Sequence, residues 1–220
     1  LSSLQKKVLL AVPNQGWIHS ALVVSLINIS SDKRYEKYFL LPDHSRFTTI
    51  EGTRQYIKDY FLKGDYDYLL SIDDDNPPLK NPLDFIELDK DMISCVTPVW
   101  IVAETQNSIG LNAYDLQKDD EGKLYYVEHT EHEGLQEVDA VGMGCYLLAR
   151  RVVKDEVIQK TPIHSVSRDD GTTLFGEDIV FCQLVKERGF KIYAHYDYPC
   201  MHFKELDLQG AYKGLKNYWN

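Results

Sequence analysis

Three consecutive acids, Asp73, Asp74 and Asp75, follow the apolar run Tyr68 to Ile72 and precede Asn76-Pro77-Pro78. If the extended backbone continues past Ile72, side chains alternate, so Asp73 and Asp75 share one direction and Asp74 points away. Two carboxylates presented together suit a hard divalent cation such as Mg²⁺ or Mn²⁺, which prefers carboxylate oxygen and keeps positions open for phosphate. The plain alternative is an Asp/Asn turn bridging a strand to Pro-Pro. The position argues for a site, because ligands in open α/β sheets bind beyond the carboxyl ends of strands. Farther on, Phe175-Gly176-Glu177-Asp178 opens a helical pattern, where Asp178 can both help cap the helix and present a carboxylate. His202 lies in the irregular stretch Tyr198 to Phe203; imidazole is a competent Mn²⁺ ligand, although a lone histidine is as readily structural.

The elements that must hold these residues alternate in the first half. Lys7 to Val12 reads as a buried strand closed by Pro13, Asn14 and Gly16. Ile18 to Ile29 reads as a helix, Tyr38 to Leu41 as a strand stopped by Pro42, and Thr49 to Lys63 as a helix ended by Gly64. Tyr68 to Ile72 and Met92 to Thr97 follow as strands. Such alternation predicts a largely parallel α/β sheet with helices on both faces. In the second half, residues 107–113, 124–128 and 137–141 read as strands between turn-rich loops, and 118–122 as a solvated hairpin tip. Cys145 to Ala149 resumes the apolar pattern, and Glu177 to Arg188 reads as a helix stopped by Gly189. With neither repeat nor linker, residues 1–220 are expected to form one mixed α/β domain.

Composition narrows the possible partners. Thirty-four acidic against 24 basic residues give a net charge of −10, which argues against a nucleic-acid-coating surface or a polybasic membrane anchor. No apolar run approaches the roughly 18 to 20 residues that span a bilayer. Leu1 to Lys7 lacks the order of segments that marks a signal peptide. Cys95, Cys145, Cys182 and Cys200 are widely spaced with no CxxC pair, which suits reduced, packed thiols. A cytoplasmic protein is therefore expected, in the host cytoplasm if it is viral. Most of the 15 tyrosines, such as Tyr38 and Tyr68, lie in strand patterns and are expected to pack rather than to stack on ligands.

Taken in order, several segments resemble a metal-dependent, nucleotide-sugar glycosyltransferase of the GT-A fold, nearest to compact viral, phage and bacterial members of family 2 type. They are Val8 to Pro13, Ile18-His19, the helix carrying Arg54, SIDDDNPP, VDAVGMGCYLLARR (Val138 to Arg151), FGEDIVFCQLVKERGFKIY (Phe175 to Tyr193) and MHF (Met201 to Phe203). DxD and GED are short motifs; their order and spacing carry the likeness. The resemblance implies a nucleotide-binding half over about 1–100 and an acceptor and catalytic half over about 101–220. It implies that Asp75 is the principal ligand of Mn²⁺ or Mg²⁺, that Asp73 supports the metal or the donor's ribose, and that His202 completes the coordination. Pro13, Asn14, Asp43, Arg54, Asp73 and Asp74 would line the nucleotide pocket, with Asp43 on uracil and Arg54 on the base or diphosphate. A turn acid and a helix-surface cation are the alternatives for Asp43 and Arg54. Met143-Gly144 would form the small-residue turn over the donor sugar, although Gly142 and Gly144 could serve only a tight turn.

The implied reaction moves a sugar from a nucleotide diphosphate, UDP favoured, to a hydroxyl on a glycan or other acceptor. Charge gathering on the departing diphosphate would be met by the cation acting as a Lewis acid. In inverting relatives the ED aspartate is the general base, here Asp178 or else Glu177; retaining relatives have no agreed equivalent. A nucleotidyltransferase or other phosphoryl-transfer enzyme could also place two carboxylates on a cation. It should show a phosphate-cradling G-x-x-x-x-G-K-[ST] or G-x-G-x-x-G, and the sequence contains neither. A non-catalytic carbohydrate-binding module of the same fold is the third reading.

Overall fold

The structure, a computed structural model, describes residues 5–42, 49–101, 108–122 and 124–204. Strand β1 (Lys7–Ala11) leads through a Pro-Asn-Gln-Gly turn into helix α1 (Ser20–Ser31), which starts where the His19 ring accepts the Ala21 N–H. Strand β2 (Glu36–Leu40) and helix α2 (Ile50–Lys63) follow, α2 being capped by the Thr49 hydroxyl accepting from Gly52. Strand β3 (Tyr68–Ile72) is buried along its whole length, as its unbroken apolar run predicts. A 3₁₀ helix (Pro82–Leu88) then leads to β4 (Met92–Val96).

The second half adds the hairpin β5 (Pro98–Ile101) and β6 (Ser108–Leu111), strands β7 (Ala113–Lys118) and β8 (Leu124–Glu128), and β9 (Leu135–Val138). Then come β10 (Ala140–Val141), β11 (Cys145–Ala149), the short helices α3 (Arg150–Val153) and α4 (Glu156–Lys160), and β12 (Val166–Ser167). The described chain closes with β13 (Thr173–Phe175), α5 (Glu177–Glu187) and β14 (Ile192–Pro199). Gly189, at a φ of 83°, takes the left-handed turn that ends α5.

Seven strands form the central sheet in the order β2-β1-β3-β11-β4-β14-β9. The pairs β1/β2, β1/β3 and β4/β14 are parallel, while β11 and β9 run the other way. The sheet is therefore mixed and mostly parallel. Alternation along β1 divides two cores: Leu9 and Ala11 pack on the face covered by α2 and α5, while Val8, Leu10 and Val12 pack under α1 and the 3₁₀ helix.

Residues 137–141 are not the single strand their pattern predicts. β9 ends at Val138 in the main sheet and β10 begins at Ala140 in a small sheet with β7 and β8. Asp139 makes the crossing, accepting the Leu116 N–H at 2.8 Å and pairing with Lys186 at 2.8 Å. β7 and β8 pair antiparallel around the predicted hairpin tip. Tyr68 packs as expected, but Tyr38 is 38% exposed, because β2 is an edge strand. All four cysteines are free and buried, and the Sγ atoms of Cys95, Cys145 and Cys200 lie within 4.8 Å of one another. Among the described residues no helix is long and apolar enough to cross a membrane.

Candidate functional site

β3 and β11 deliver the centre of the site together. Ile72 pairs with Cys145, and the Asp73 N–H donates to Gly144 O at 2.7 Å, so the acidic run leaves the sheet beside the Gly142–Gly144 turn. The third partner is the segment after β14. Met201 N–H donates to Pro77 O and Phe203 N–H to Asp75 O, each at 3.0 Å, and the Phe203 ring stacks on His19 at 3.6 Å. Residues 73–75 and 201–203, 126 positions apart, are thus held side by side through backbone and ring contacts.

The three acids have different partners. Asp73 is paired with the buried Arg54, whose Nη2 is 3.2 Å from its Oδ2, and its Oδ1 is buried without a hydrogen-bond partner. Burial pushes the Asp73 carboxyl up to about 7 against the pull of Arg54, with Asp75 and Asp74 adding to the rise. The acidic run is not extended as the alternation required: the Asn76 N–H donates to Asp73 O at 3.1 Å and closes a turn, and Asp74 Oδ2 accepts the Gln15 N–H at 3.1 Å, fixing the loop after β1. Asp75 Oδ2 faces His202 Nε2 at 3.6 Å and Lys204 Nζ at 2.8 Å. Burial works against its charge, yet His202 and Lys204 hold Asp75 down at about 2.

His202 shows what kind of partner this position takes. Its Nδ1 lies 2.6 Å from Pro98 O, which only accepts, so Nδ1 carries the proton. In the neutral ring Nε2 is then a lone pair facing a carboxylate oxygen, and two acceptors face each other stably only when a proton or cation lies between them. The hydrogen bond to Asp75 accordingly raises the His202 pKa. Two carboxylates and an imidazole whose other nitrogen is fixed by a carbonyl match the donor preferences of Mn²⁺ or Mg²⁺, and the buried, unpartnered Asp73 Oδ1 adds a free acceptor. Asp73, Asp75 and His202 do not close into a three-way cluster of the kind the cysteines make; Asp75 and His202 converge, while one oxygen of Asp73 is given to Arg54.

Arg54 departs from its expected place on the nucleotide. It is 6% exposed, and its three nitrogens are committed within the chain. Nε donates to Glu177 Oε1 at 2.9 Å, Nη1 to Met143 O at 3.0 Å and Nη2 to Asp73. Glu177 is tied up by the same contact. Asp178 Oδ1 accepts the Ile179 N–H at 2.8 Å; burial, and then Glu177, raise its pKa. Gly142 and Gly144 answer to the chain's own side chains. A Cβ at Gly142 would lie 2.9 Å from Asn112 Nδ2, and one at Gly144 would lie 2.2 Å from Asn76 Oδ1. Met143 is buried, with its carbonyl on Arg54.

Three cavities meet here. One of about 200 Å³ is lined by Pro13, Asn14, Gln15, Ile50, the three acids and Lys204. Asn14 contributes as a loop-builder, its amide donating to Val12 O and Pro42 O and its Oδ1 accepting from Gly16. Asp43 lies outside the described residues. A second cavity, of about 230 Å³, joins Asp73, Asp75, Arg54, Met143, Gly144, His202 and Lys204 to Tyr114 and Asp178. A third, of about 410 Å³, shares Tyr114 and Asp178 and continues between Tyr125, Tyr126, Arg168 and Leu174. Lys204 and Tyr114 escaped the sequence reading. The i, i+2 spacing of His202 and Lys204 is the one signal that could have found Lys204.

No family model and no curated protein matches the sequence. The fold has relatives among solved structures. A197 from STIV superposes with a TM-score of 0.58 at 18% identity, over 90% of this chain and 86% of that one. GalNAc-T7, solved with UDP, GalNAc and Mn²⁺, superposes with a TM-score of 0.56 at 14% identity, over 94% of this chain but 45% of its own length. At these identities the likeness concerns fold. The chain has the mixed, mostly parallel α/β architecture of GT-A glycosyltransferases.

Proposed function

We propose that this chain is a metal-dependent glycosyltransferase that takes a nucleotide-diphospho-sugar, UDP-sugar favoured, and transfers the sugar to a hydroxyl acceptor. The carrying observation is Asp75 Oδ2 facing His202 Nε2 at the junction of cavities that lead to the loop after β1 on one side and to Asp178 on the other. Asp75 and His202 would hold the cation, with Asp73 Oδ1 at hand. A bound divalent ion would supply positive charge for the departing diphosphate. The fold relative holding UDP, GalNAc and Mn²⁺ supports this reading, as does the donor chemistry of the site.

The chain's own residues divide the remaining work. The cavity beside the loop after β1 receives the nucleotide, and the one bounded by Met143 and Gly144 receives the sugar. The cavity beyond Asp178 receives the acceptor, whose hydroxyl passes its proton to Asp178 Oδ2 if the transfer inverts configuration. Asp178 is favoured over Glu177 for that step because it lines both the sugar and the acceptor cavity, whereas Glu177 lines neither and pairs with the buried Arg54 through Oε1. Titration calorimetry with UDP, with and without Mn²⁺, followed by UDP-sugar turnover, tests the reading. Mn²⁺-dependent UDP binding that Asp75→Ala abolishes is expected; full turnover by that variant would overturn the assignment.

A further inference from the structure

The Lys204 ammonium is placed where a cation shared by Asp75 and His202 would bind. Its Nζ is 2.8 Å from Asp75 Oδ2, the same oxygen that His202 Nε2 faces at 3.6 Å. The placement follows from the backbone. Phe203 is pinned by its N–H on Asp75 O and by its ring on His19, so His202 and Lys204, on either side of it, both reach back to Asp75. The Lys204 side chain is 66% exposed, with a flexible stem, and it lines both the nucleotide-side and the sugar-side cavity.

A divalent ion on Asp75 Oδ2 would bind at roughly 2.0 to 2.2 Å, and an ammonium on the same oxygen would repel it, screened because Lys204 is exposed. That repulsion favours the lysine turning away, and the two cavities it lines are those the nucleotide and the sugar would occupy, with the diphosphate between them. We infer that Lys204 is an exchangeable counter-ion: it neutralises Asp75 before the cation arrives, then turns to the diphosphate of the donor. The inference rests on the metal-dependent reading above. It gives Lys204 two effects of opposite sign, competing with the metal and favouring the nucleotide.

Mn²⁺ binding followed by electron paramagnetic resonance without nucleotide, and UDP calorimetry at saturating Mn²⁺, separate these effects in the full chain. Lys204→Met is expected to bind Mn²⁺ about 5- to 10-fold more tightly and UDP about 10-fold more weakly, the sizes befitting a charge pair at a partly exposed site. Lys204→Arg should stay within about threefold of wild type in both. Local damage would weaken both ligands together. Mn²⁺ affinity unchanged or weakened in Lys204→Met, or UDP affinity unchanged, overturns the proposal while leaving the metal reading intact. A wild-type chain that binds no Mn²⁺ overturns the metal reading, and the proposal with it.

Discussion

Arg54 Nε lies 2.9 Å from Glu177 Oε1, and this contact ties helix α2 to the first turn of α5 beneath the site. With Asp73 on Nη2 and Met143 O on Nη1, Arg54 joins the acidic run, the glycine turn and the start of α5 in one buried network. Removing the guanidinium leaves two carboxylates and a carbonyl without their partner, at a cost of about 3 to 5 kcal/mol. Arg54→Met should therefore lower the unfolding free energy measured by urea denaturation by an amount in that range. Arg54→Lys, which keeps the charge but loses the fork, should recover only part of it. A wild-type unfolding free energy for Arg54→Met would show that the network is not structural.

The same contact separates the two acids of the ED pair. Asp178→Asn should bind UDP with Mn²⁺ as wild type does and lose transfer, whereas Glu177→Gln should lose stability more than transfer. In the wild type the base works only when deprotonated, and burial raises the Asp178 pKa. Activity should therefore decline on acidification at a pH above the ordinary carboxylate range. A rate profile flat down to pH 4, or retained transfer by Asp178→Asn, would remove Asp178 from this role.

The strands and helices of the first half were legible because their periodicity is local: β3 falls on Tyr68 to Ile72 as read, and α2 starts at the Thr49 cap. The switch at Asp139 was not legible, since it depends on Leu116 and Lys186, which are distant in sequence. At the site, residue types revealed that carboxylates and an imidazole could meet, but not how they share partners. The resemblance puts Arg54 on the nucleotide, and the helix pattern alone would make it a surface cation; its burial fits neither expectation. Its capture by Glu177, across 123 positions, is visible only in three dimensions. Lys204 is the converse case, an exposed lysine whose only mark in the sequence is its i, i+2 spacing from His202.

Away from the site, Asp32 at the end of α1 anchors a polar junction. It accepts from Arg34 Nη2 at 2.6 Å and Asn81 Nδ2 at 2.8 Å, and Arg34 in turn reaches Asp84 at 2.6 Å. Its bonds with Arg34 lead in lowering the carboxyl from 3.8 to about 2. A depressed folded-state pKa stabilises above the unfolded value, and that contribution is lost as pH falls toward 2. Arg34 is partly exposed, so the contribution is about 1 kcal/mol after solvent screening. Asp32→Asn should melt lower than wild type at pH 7, and the difference should close at pH 2. An undiminished gap at pH 2 would contradict the ionic origin.

Gly144 offers a test of how the second cavity is built. An added Cβ would lie 2.2 Å from Asn76 Oδ1 and 3.0 Å from Asn76 Cγ. Asn76 is buried, and its amide donates to Asp75 Oδ1, so it cannot move without disturbing the acid that faces His202. Gly144→Ala should thus cost about 1 to 3 kcal/mol through overpacking and weaken Mn²⁺ binding as well. The collision involves one side chain, so the cost should depend on that side chain. In an Asn76→Ala background, Gly144→Ala should be nearly neutral for stability, giving a coupling energy of about 1 kcal/mol or more in a double-mutant cycle. If the turn instead required glycine for its backbone, the substitution would cost the same in both backgrounds. Gly144 lacks the positive φ that would make such a demand, so the coupling should be measurable by urea denaturation of the four proteins.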